Sequence, residues 1–358
     1  MFFGKKPLSE TLLNALIQQV ADFYQLPANS VKNWFSQNKQ QLEIHLPFAA
    51  KTDVEQLQTE LQQILLEHDE HKVSLAFHTQ IKRLQTKRPA IKGSGNIIAV
   101  SSGKGGVGKS ATAVNLAFAL MQQGAKVGIL DADIYGPSVP IMLGNKAASP
   151  ASEYGKIMQP IEAHGIVANS IGYLVPEDDA AVWRGPMASK ALQQLLNETE
   201  WPDLDYLILD MPPGTGDIQL TLAQNLPVAA AVVVTTPQDL ALADATKGIA
   251  MFDKVDVPVL GIIENMSYYL CENCGHKAHI FASQGGEKLS QKHALPLLGQ
   301  LPLDLHIRQH ADEGKPLLIA EPDSSISQHY REVAKSISKA LYQEILHSGE
   351  AIDVLLVR

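Results

Sequence analysis

Cysteine is almost absent from this sequence: 2 in 358 residues. That is too few for a disulfide scaffold and suits a reducing compartment. Positive charge is the minority sign. There are 29 Lys and Arg against 38 Asp and Glu, a formal net charge of −9, which argues against a general polyanion binder and leaves no nucleic-acid partner expected. Long hydrophobic runs are lacking too. The longest, residues 228–234, is far too short to span a bilayer. No apolar core of signal-peptide length follows Lys5 and Lys6, so the expected location is the cytoplasm, with no membrane partner. What is present is ordinary: 45% hydrophobic and 19% charged residues exclude disorder as the main state. The length suggests about two domains.

Residues 8–80 read as a small α+β unit. Leu12, Leu13, Leu16, Ile17 and Val20 have helical spacing, and Leu42, Ile44 and Leu46 alternate as in a half-buried strand. Thr52 or Asp53 can cap a second helix carrying Val54, Leu57, Leu61, Ile64 and Leu65, before Val73, Leu75 and Phe77 alternate again. The expected order is helix, strand, helix, strand. Residues 82–95 are basic, contain Pro89, Gly93 and Gly95, and lack periodicity. They read as a solvated linker, with a basic partner contact as the alternative.

From Asn96 the texture changes. Short apolar runs at 97–100, 127–130, 166–168, 207–209, 228–234 and 259–263 alternate with helical patterns. Such runs mark strands buried on both faces, and the alternation implies βαβ units around a mostly parallel sheet. The expected fold is therefore three-layer α/β around a mostly parallel central sheet, preceded by a small α+β domain, and the motif that follows its first strand makes it a P-loop NTPase fold. The division is residues 1–90 and 91–358.

The P-loop assignment rests on Gly103-Lys104-Gly105-Gly106-Val107-Gly108-Lys109-Ser110, set between the first of these strands and a helix that ends before Gly124. Its glycines let consecutive backbone N–H groups turn inward around a phosphate, and the helix N-terminus adds its positive end. Lys109 would reach the β- and γ-phosphates of ATP, and the Ser110 hydroxyl would ligate Mg²⁺. Lys104 is a second lysine that a P-loop serving one chain does not require.

Ligands of parallel sheets lie beyond the carboxyl ends of the strands. There the chain has Asp131-Ala132-Asp133-Ile134-Tyr135-Gly136-Pro137-Ser138 and Asp210-Met211-Pro212-Pro213-Gly214-Thr215-Gly216-Asp217. Asp210 fits a Mg²⁺-side carboxylate, and Asp133 could orient the attacking water. The Pro- and Gly-containing loop after Asp210 is of the kind that senses a γ-phosphate. Asp131 and Asp217 read equally well as turn or capping residues.

Both cysteines fall in Cys271-Glu272-Asn273-Cys274-Gly275-His276-Lys277-Ala278-His279. A CxxC can grip one metal or cluster, and Gly275 allows the tight turn of a knuckle. His276 and His279 could complete a zinc site, although Cys-x-x-Cys-x-His-x-x-His is shorter than the usual zinc spacing. Tetrahedral zinc and four-iron clusters commonly take four thiolates, and one chain offers two. A symmetric dimer would supply four at its two-fold axis.

These motifs carry a resemblance. Residues 103–110 are similar to the deviant P-loop of ATPases related to the nitrogenase iron protein and to the division and partition ATPases. Together with residues 131–138 and 210–217, Asn265-Met266-Ser267 and the CxxC, they resemble the Mrp/ApbC family of iron–sulfur cluster carrier ATPases. The N-terminal unit resembles a small domain associated with iron–sulfur assembly. The resemblance implies a homodimer that hydrolyses ATP and holds a labile [4Fe-4S] cluster on paired Cys271 and Cys274. It also implies apo iron–sulfur proteins as recipients and a cluster-assembly scaffold as donor. By the same resemblance Lys104 crosses to the partner's nucleotide, Asp133 is hydrolytic, Asp210 stands beside Mg²⁺, and Asn265 contacts adenine. Two features depart from the pattern. Ala111 stands where a hydroxyl residue is usual, and the N-terminal unit has no cysteine. The alternatives are a partition-type positioning ATPase and a zinc-stapled ATPase dimer.

Overall fold

The computed structural model describes residues 8–38, 40–153, 157–174 and 185–349. Its contacts divide the chain into two units. One comprises residues up to 82 together with those from 342 on, and the other residues 83–341.

In the first unit, helix α1 (Glu10–Tyr24) begins at an extended Ser9 whose hydroxyl accepts from the N–H of Leu12. That satisfies a first-turn donor which has no partner within the helix. Leu12, Leu16, Ile17 and Val20 form its buried stripe. Strands β1 (Phe35–Asn38) and β2 (Gln41–Leu46), helix α2 (Val54–Glu67) and strand β3 (Ser74–Thr79) follow. The central β2 is antiparallel to β1 and parallel to β3. Trp34, Phe48 and Tyr342 form a ring cluster, each pair of centroids 5.7 Å apart, and Trp34 Nε1 donates to the Tyr342 hydroxyl at 3.1 Å.

Two expectations need correction here. The sequence pattern omits β1, because Phe-Ser-Gln-Asn has one apolar residue and three exposed positions, so no alternation marks it. Nor does Asp53 cap α2 with its side chain. Residues Lys51–Asp53 form a 3-10 turn, and Asp53 has helical backbone (φ −84°, ψ −15°). A capping side chain needs extended backbone to reach back to the first-turn N–H groups.

The second unit is built on β4 (Asn96–Ser101), α3 (Lys109–Gln122), β5 (Val127–Asp131), β6 (Ile161–Ala163), β7 (Ile166–Ser170), α4 (Gly185–Glu198), β8 (Tyr206–Asp210), α5 (Asp217–Asn225), β9 (Val228–Thr235), α6 (Asp239–Lys254) and β10 (Val259–Glu264). A hairpin of β11 (Tyr269–Leu270) and β12 (Lys277–Ala278), then α7 (Gly285–His293), β13 (Leu297–Gln300), α8 (Leu305–Asp312) and the part of α9 (Ser325–His347) up to residue 341 complete it. The main sheet runs β13-β10-β9-β4-β8-β5-β7-β6, parallel throughout except for the β7–β6 edge. Each apolar run of the sequence became one of its inner strands. Ile97, Ala99, Leu207 and Leu209 join Leu192, Leu222 and Phe252 of α4, α5 and α6 in one core layer. The alternate residues Ile98, Ile208 and Val232 are fully buried as well, as two-sided cover requires. The edge strands β6 and β13 were not legible as runs, because both are short and half-exposed.

Residues 82–95 form no regular element, but their cations are in use. Arg83 donates to Asp203 Oδ1 (3.1 Å), Lys87 pairs with Asp256 (2.9 Å), and Arg88 donates to the Gln224 carbonyl (2.7 Å). The basic run thus makes contacts along the second unit while most of it stays exposed to solvent, as expected of a solvated linker. Among the described residues no helix is long and apolar enough to cross a membrane. The acidic-apolar sequence at 350–358 lies outside the described residues.

Candidate functional site

The carboxyl ends of the central strands are polar where the strands are not: Ser101, Asp131, Asp210, Thr235 and Glu264 end β4, β5, β8, β9 and β10. Asp210 is in register with Asp131 on one side and Val100 on the other. The P-loop rises from β4 at this end. Gly108 is the N-cap residue of α3 with φ +78°, a left-handed geometry that favours glycine. A Cβ there would also sit 2.2 Å from Asn265 Nδ2. Gly103 serves close approach instead, since its Cβ would meet the Asp244 backbone of α6 at 2.2 Å. Gly105 and Gly106 are exposed, with Val107 buried beneath the loop.

Lys109 is 6% exposed and Asp210 is fully buried. The Lys109 ammonium donates to Asp210 Oδ1, and to the Ser110 hydroxyl at 3.1 Å. The second Asp210 oxygen is buried without a hydrogen-bond partner. Three predicted residues are thus brought together: the P-loop lysine, its serine and the strand-end carboxylate. The loop after Asp210 closes beside them. The Gly214 N–H donates to the Ser102 carbonyl at 2.9 Å, and Gln219 Nε2 donates to the Pro213 carbonyl.

Asp133 stands half-buried on the β5 side. Burial raises its carboxyl above the ordinary range, and the Lys109 ammonium opposes that shift. Asp131 is structural. It accepts from the Asp133 N–H (3.0 Å), the Val139 N–H (3.1 Å) and the Ser170 hydroxyl (3.2 Å). Full burial raises its carboxyl, and the neighbouring Asp210 adds to the shift. Asp217 opens α5, where a negative charge suits the helix N-terminus. Lys104 is half-buried and reaches Gln238 Oε1 only at 3.5 Å, a weak contact. Asn265 Nδ2 donates to the Val107 carbonyl of the P-loop at 2.9 Å. Ala111 lies in the first turn of α3.

Six residues beyond Asn265, Cys271 enters the β11–β12 hairpin. Its N–H donates to the His276 carbonyl (3.0 Å), and the Gly275 N–H donates back to the Cys271 carbonyl (2.8 Å). Both thiols are free, Cys271 half-exposed and Cys274 exposed. The backbone N–H of Cys274, then that of Asn273, point at the Cys271 sulfur and hold its thiol below the ordinary range. Donors aimed at a thiolate are what a metal or cluster knuckle requires. The histidines are not gathered about the thiols. His276 is exposed, His279 Nδ1 donates to the Ser267 carbonyl at 3.0 Å, and among the described residues neither joins the thiols in a three-ligand group.

One residue at this end was missed in the sequence. Glu264 is fully buried. It accepts from the Gly286 N–H, the Ser267 hydroxyl (2.6 Å) and Gln300 Nε2 (3.0 Å), anchoring the segment that leads from Asn265 into the hairpin. The signal was available: an acid directly after an apolar run, as at Asp131 and Asp210.

Residues 93–338 match the family model described as ParA, NUBPL iron-transfer P-loop NTPase. The chain is 62% identical over 272 residues to the iron-sulfur cluster carrier protein of Escherichia coli K12, covering 76% of this chain and 72% of that relative. It is 45% identical over 284 residues to the iron-sulfur cluster transfer protein NUBPL of Dictyostelium discoideum, covering 79% and 87%. Among solved structures, a nucleotide-binding protein from Archaeoglobus fulgidus in complex with ADP superposes with a TM-score of 0.58 at 35% identity, covering 66% of this chain and 92% of that one. The cell division ATPase MinD of Pyrococcus furiosus, at 22% identity and a TM-score of 0.50 over 68% and 99%, shares the fold.

Proposed function

The chain belongs to the iron-transfer P-loop NTPase family, and from that premise we propose that it is an ATP-driven carrier of iron–sulfur clusters. It binds and hydrolyses ATP at the P-loop end of the sheet. It holds a labile [4Fe-4S] cluster as cargo on Cys271 and Cys274 and hands it to apoproteins, with a cluster-assembly scaffold as donor. The observation that carries this reading is the knuckle itself. It holds the chain's only two thiols, presented on an exposed hairpin with backbone N–H groups at the Cys271 sulfur.

The residues divide the work as follows. Backbone N–H groups of residues 103–110 cradle the phosphates, and Lys109 leaves Asp210 for them when nucleotide binds. A bound Mg²⁺ supplies charge neutralisation at the phosphates. The Ser110 hydroxyl and the Asp210 carboxylate are the groups that hold it, a role supported by the orphaned buried Asp210 oxygen. Asp133 orients the attacking water and takes its proton as the water oxygen bonds to the γ-phosphorus and the bond to the β–γ bridging oxygen breaks. Asn265 meets the adenine side of the nucleotide while staying tied to Val107.

Two thiolates per chain call for two chains, so the working form is a homodimer with one cluster at its axis. Lys104, with little to hold it in its own chain, serves the partner's nucleotide and neutralises charge on the transferring phosphoryl group. The tie from the P-loop through Asn265 to Cys271 gives nucleotide state a route to the cargo. Met266 in that link has a left-handed backbone (φ +53°), a strained position of the kind found at switches. Residues 1–90 are proposed as a separate module, a reading supported by a division of contacts that falls nearby, at residue 82, and adds the residues from 342 on.

Anaerobic reconstitution of the purified chain with iron and sulfide, read by absorption and iron analysis, tests the reading. The expected result is about four irons per two chains, held by four thiolates, and none in a Cys271→Ala/Cys274→Ala variant. A cluster retained by that variant, or only zinc bound by the wild type, overturns it.

A further inference from the structure

Helix α8 starts at Asp304, whose carboxylate accepts from the His306 N–H at 2.8 Å. Residues four apart share a helix face, so His306 and His310 stand one turn apart, with ring centroids separated by 6.2 Å. Glu321 faces them from the end of the short helix Leu317–Ala320. Its backbone is fixed: its N–H donates to the Leu317 carbonyl and its carbonyl accepts from the Ser327 hydroxyl, both at 2.7 Å. His306 Nδ1 and His310 Nε2 each lie 3.0 Å from Glu321 Oε1.

We propose that His306, His310 and Glu321 form a binding site for a divalent first-row transition metal ion, separate from the P-loop and from the cysteine knuckle. Among the described residues they are the group of three His, Cys, Asp or Glu whose ligand atoms all lie within 4.8 Å of one another. Ligand atoms about 2.1 Å from a tetrahedral ion are roughly 3.4 Å apart, so small rotations of these side chains admit the ion in place of the shared proton. Two imidazoles and one carboxylate suit Zn²⁺ or Fe²⁺, with positions left open.

A supporting residue stands behind the site. His310 Nδ1 is buried without a hydrogen bond, and Glu313 Oε2 lies 3.5 Å from it. A carboxylate behind a ligating imidazole fixes its tautomer and raises its basicity. The inference rests on this geometry alone and stands apart from the cluster-carrier reading.

The test uses the full chain, stripped of metal and carrying Cys271→Ser and Cys274→Ser so that no thiol competes. Zn²⁺ alone, and anaerobically Fe²⁺ alone, are titrated by calorimetry. The expected result is about one ion per chain for at least one of the two metals, whichever the site prefers, accompanied by a raised thermal midpoint. His310→Ala in the same background should lower the affinity at least about 100-fold, and Glu313→Gln about 10-fold. No stoichiometric binding of either metal overturns the proposal. So does binding unchanged by His310→Ala in a protein with wild-type circular dichroism, and the three side chains are then a proton-bridged ion-pair cluster only.

Discussion

The P-loop and the cysteine hairpin are joined through Asn265, and they are built on opposite plans. At the P-loop, Lys109 and Asp210 are buried and neutralise each other. Glycines at 103 and 108 let α6 and Asn265 press against the loop. At the hairpin the thiols stand in or near solvent, and a Cβ at Gly275 would meet nothing within 4 Å. A loop that must surround a phosphate is rigid before its ligand arrives, with its own counter-charge in place. On the proposed function, a pair of thiols that gives up cargo to another protein stays at the surface and supplies half of a four-ligand set. The first site resists change because many groups depend on each residue. The second has fewer neighbours to disturb, and depends chiefly on its sulfurs and on the left-handed turn at Gly275.

Lys109→Ala should break the contrast most visibly. ATP turnover should fall about 10²–10³-fold, as when one charge-stabilising donor is removed, while cluster loading on the hairpin persists. The same change leaves Asp210 buried and unpaired, which costs about 3–5 kcal/mol when one partner of a buried pair is lost. Adding Asp210→Asn should recover much of that stability in denaturant unfolding and none of the turnover. Turnover at the wild-type rate in Lys109→Ala would remove the P-loop from the mechanism.

Two glycine substitutions sharpen the comparison at smaller scale. Gly108 (φ +78°) and Gly275 (φ +68°) share the same backbone sign, and alanine at either carries about 1–2 kcal/mol of left-handed strain. Gly108→Ala must also displace Asn265 and its bond to Val107, adding about 1 kcal/mol or more. Urea midpoints should therefore rank wild type, Gly275→Ala, Gly108→Ala. Equal losses for the two variants would mean that crowding at the P-loop contributes nothing.

The smallest expected effect is a shift in pH dependence. The Cys274 and Asn273 N–H groups lower the Cys271 thiol in the folded chain. The sign follows directly. A lowered folded value favours the folded state at high pH, and that advantage disappears as pH falls through the folded value. Alkylation of Cys271, followed site by site by mass spectrometry, should reach half its maximal rate at a lower pH in the folded protein than in urea. Coincident curves would show that the N–H groups do not act on the sulfur.

Much of the second unit was legible because its signals are local. Continuous apolar runs gave the inner strands, and the glycine spacing between strand and helix gave the P-loop. The CxxC with Gly275 gave the knuckle. What stayed hidden had either a weak local pattern or a distant partner. β1 has one apolar residue in four, and the edge strands β6 and β13 are half-exposed. The surface contacts of the basic run at 82–95 were hidden because Asp203, Gln224 and Asp256 lie more than a hundred residues away. His306 and His310 have helical spacing, but two histidines four apart on a polar helix carry no signal until Glu321 is placed opposite them.

The sequence by itself determined the chemistry that backbone and near neighbours can perform. Phosphate-binding N–H groups, a helix N-terminus and a pair of thiols in one tight turn all depend on residues within a few positions of one another. Tertiary structure alone decided which side chains meet across the sheet. Lys109 pairs with Asp210 across 101 residues, and Asn265 reaches Val107 across 158. Those meetings follow from β4 lying between β8 and β9, with β10 next beyond β9. Strand order is set by how buried runs of nearly interchangeable apolar residues pack together, and no periodicity along the chain encodes it.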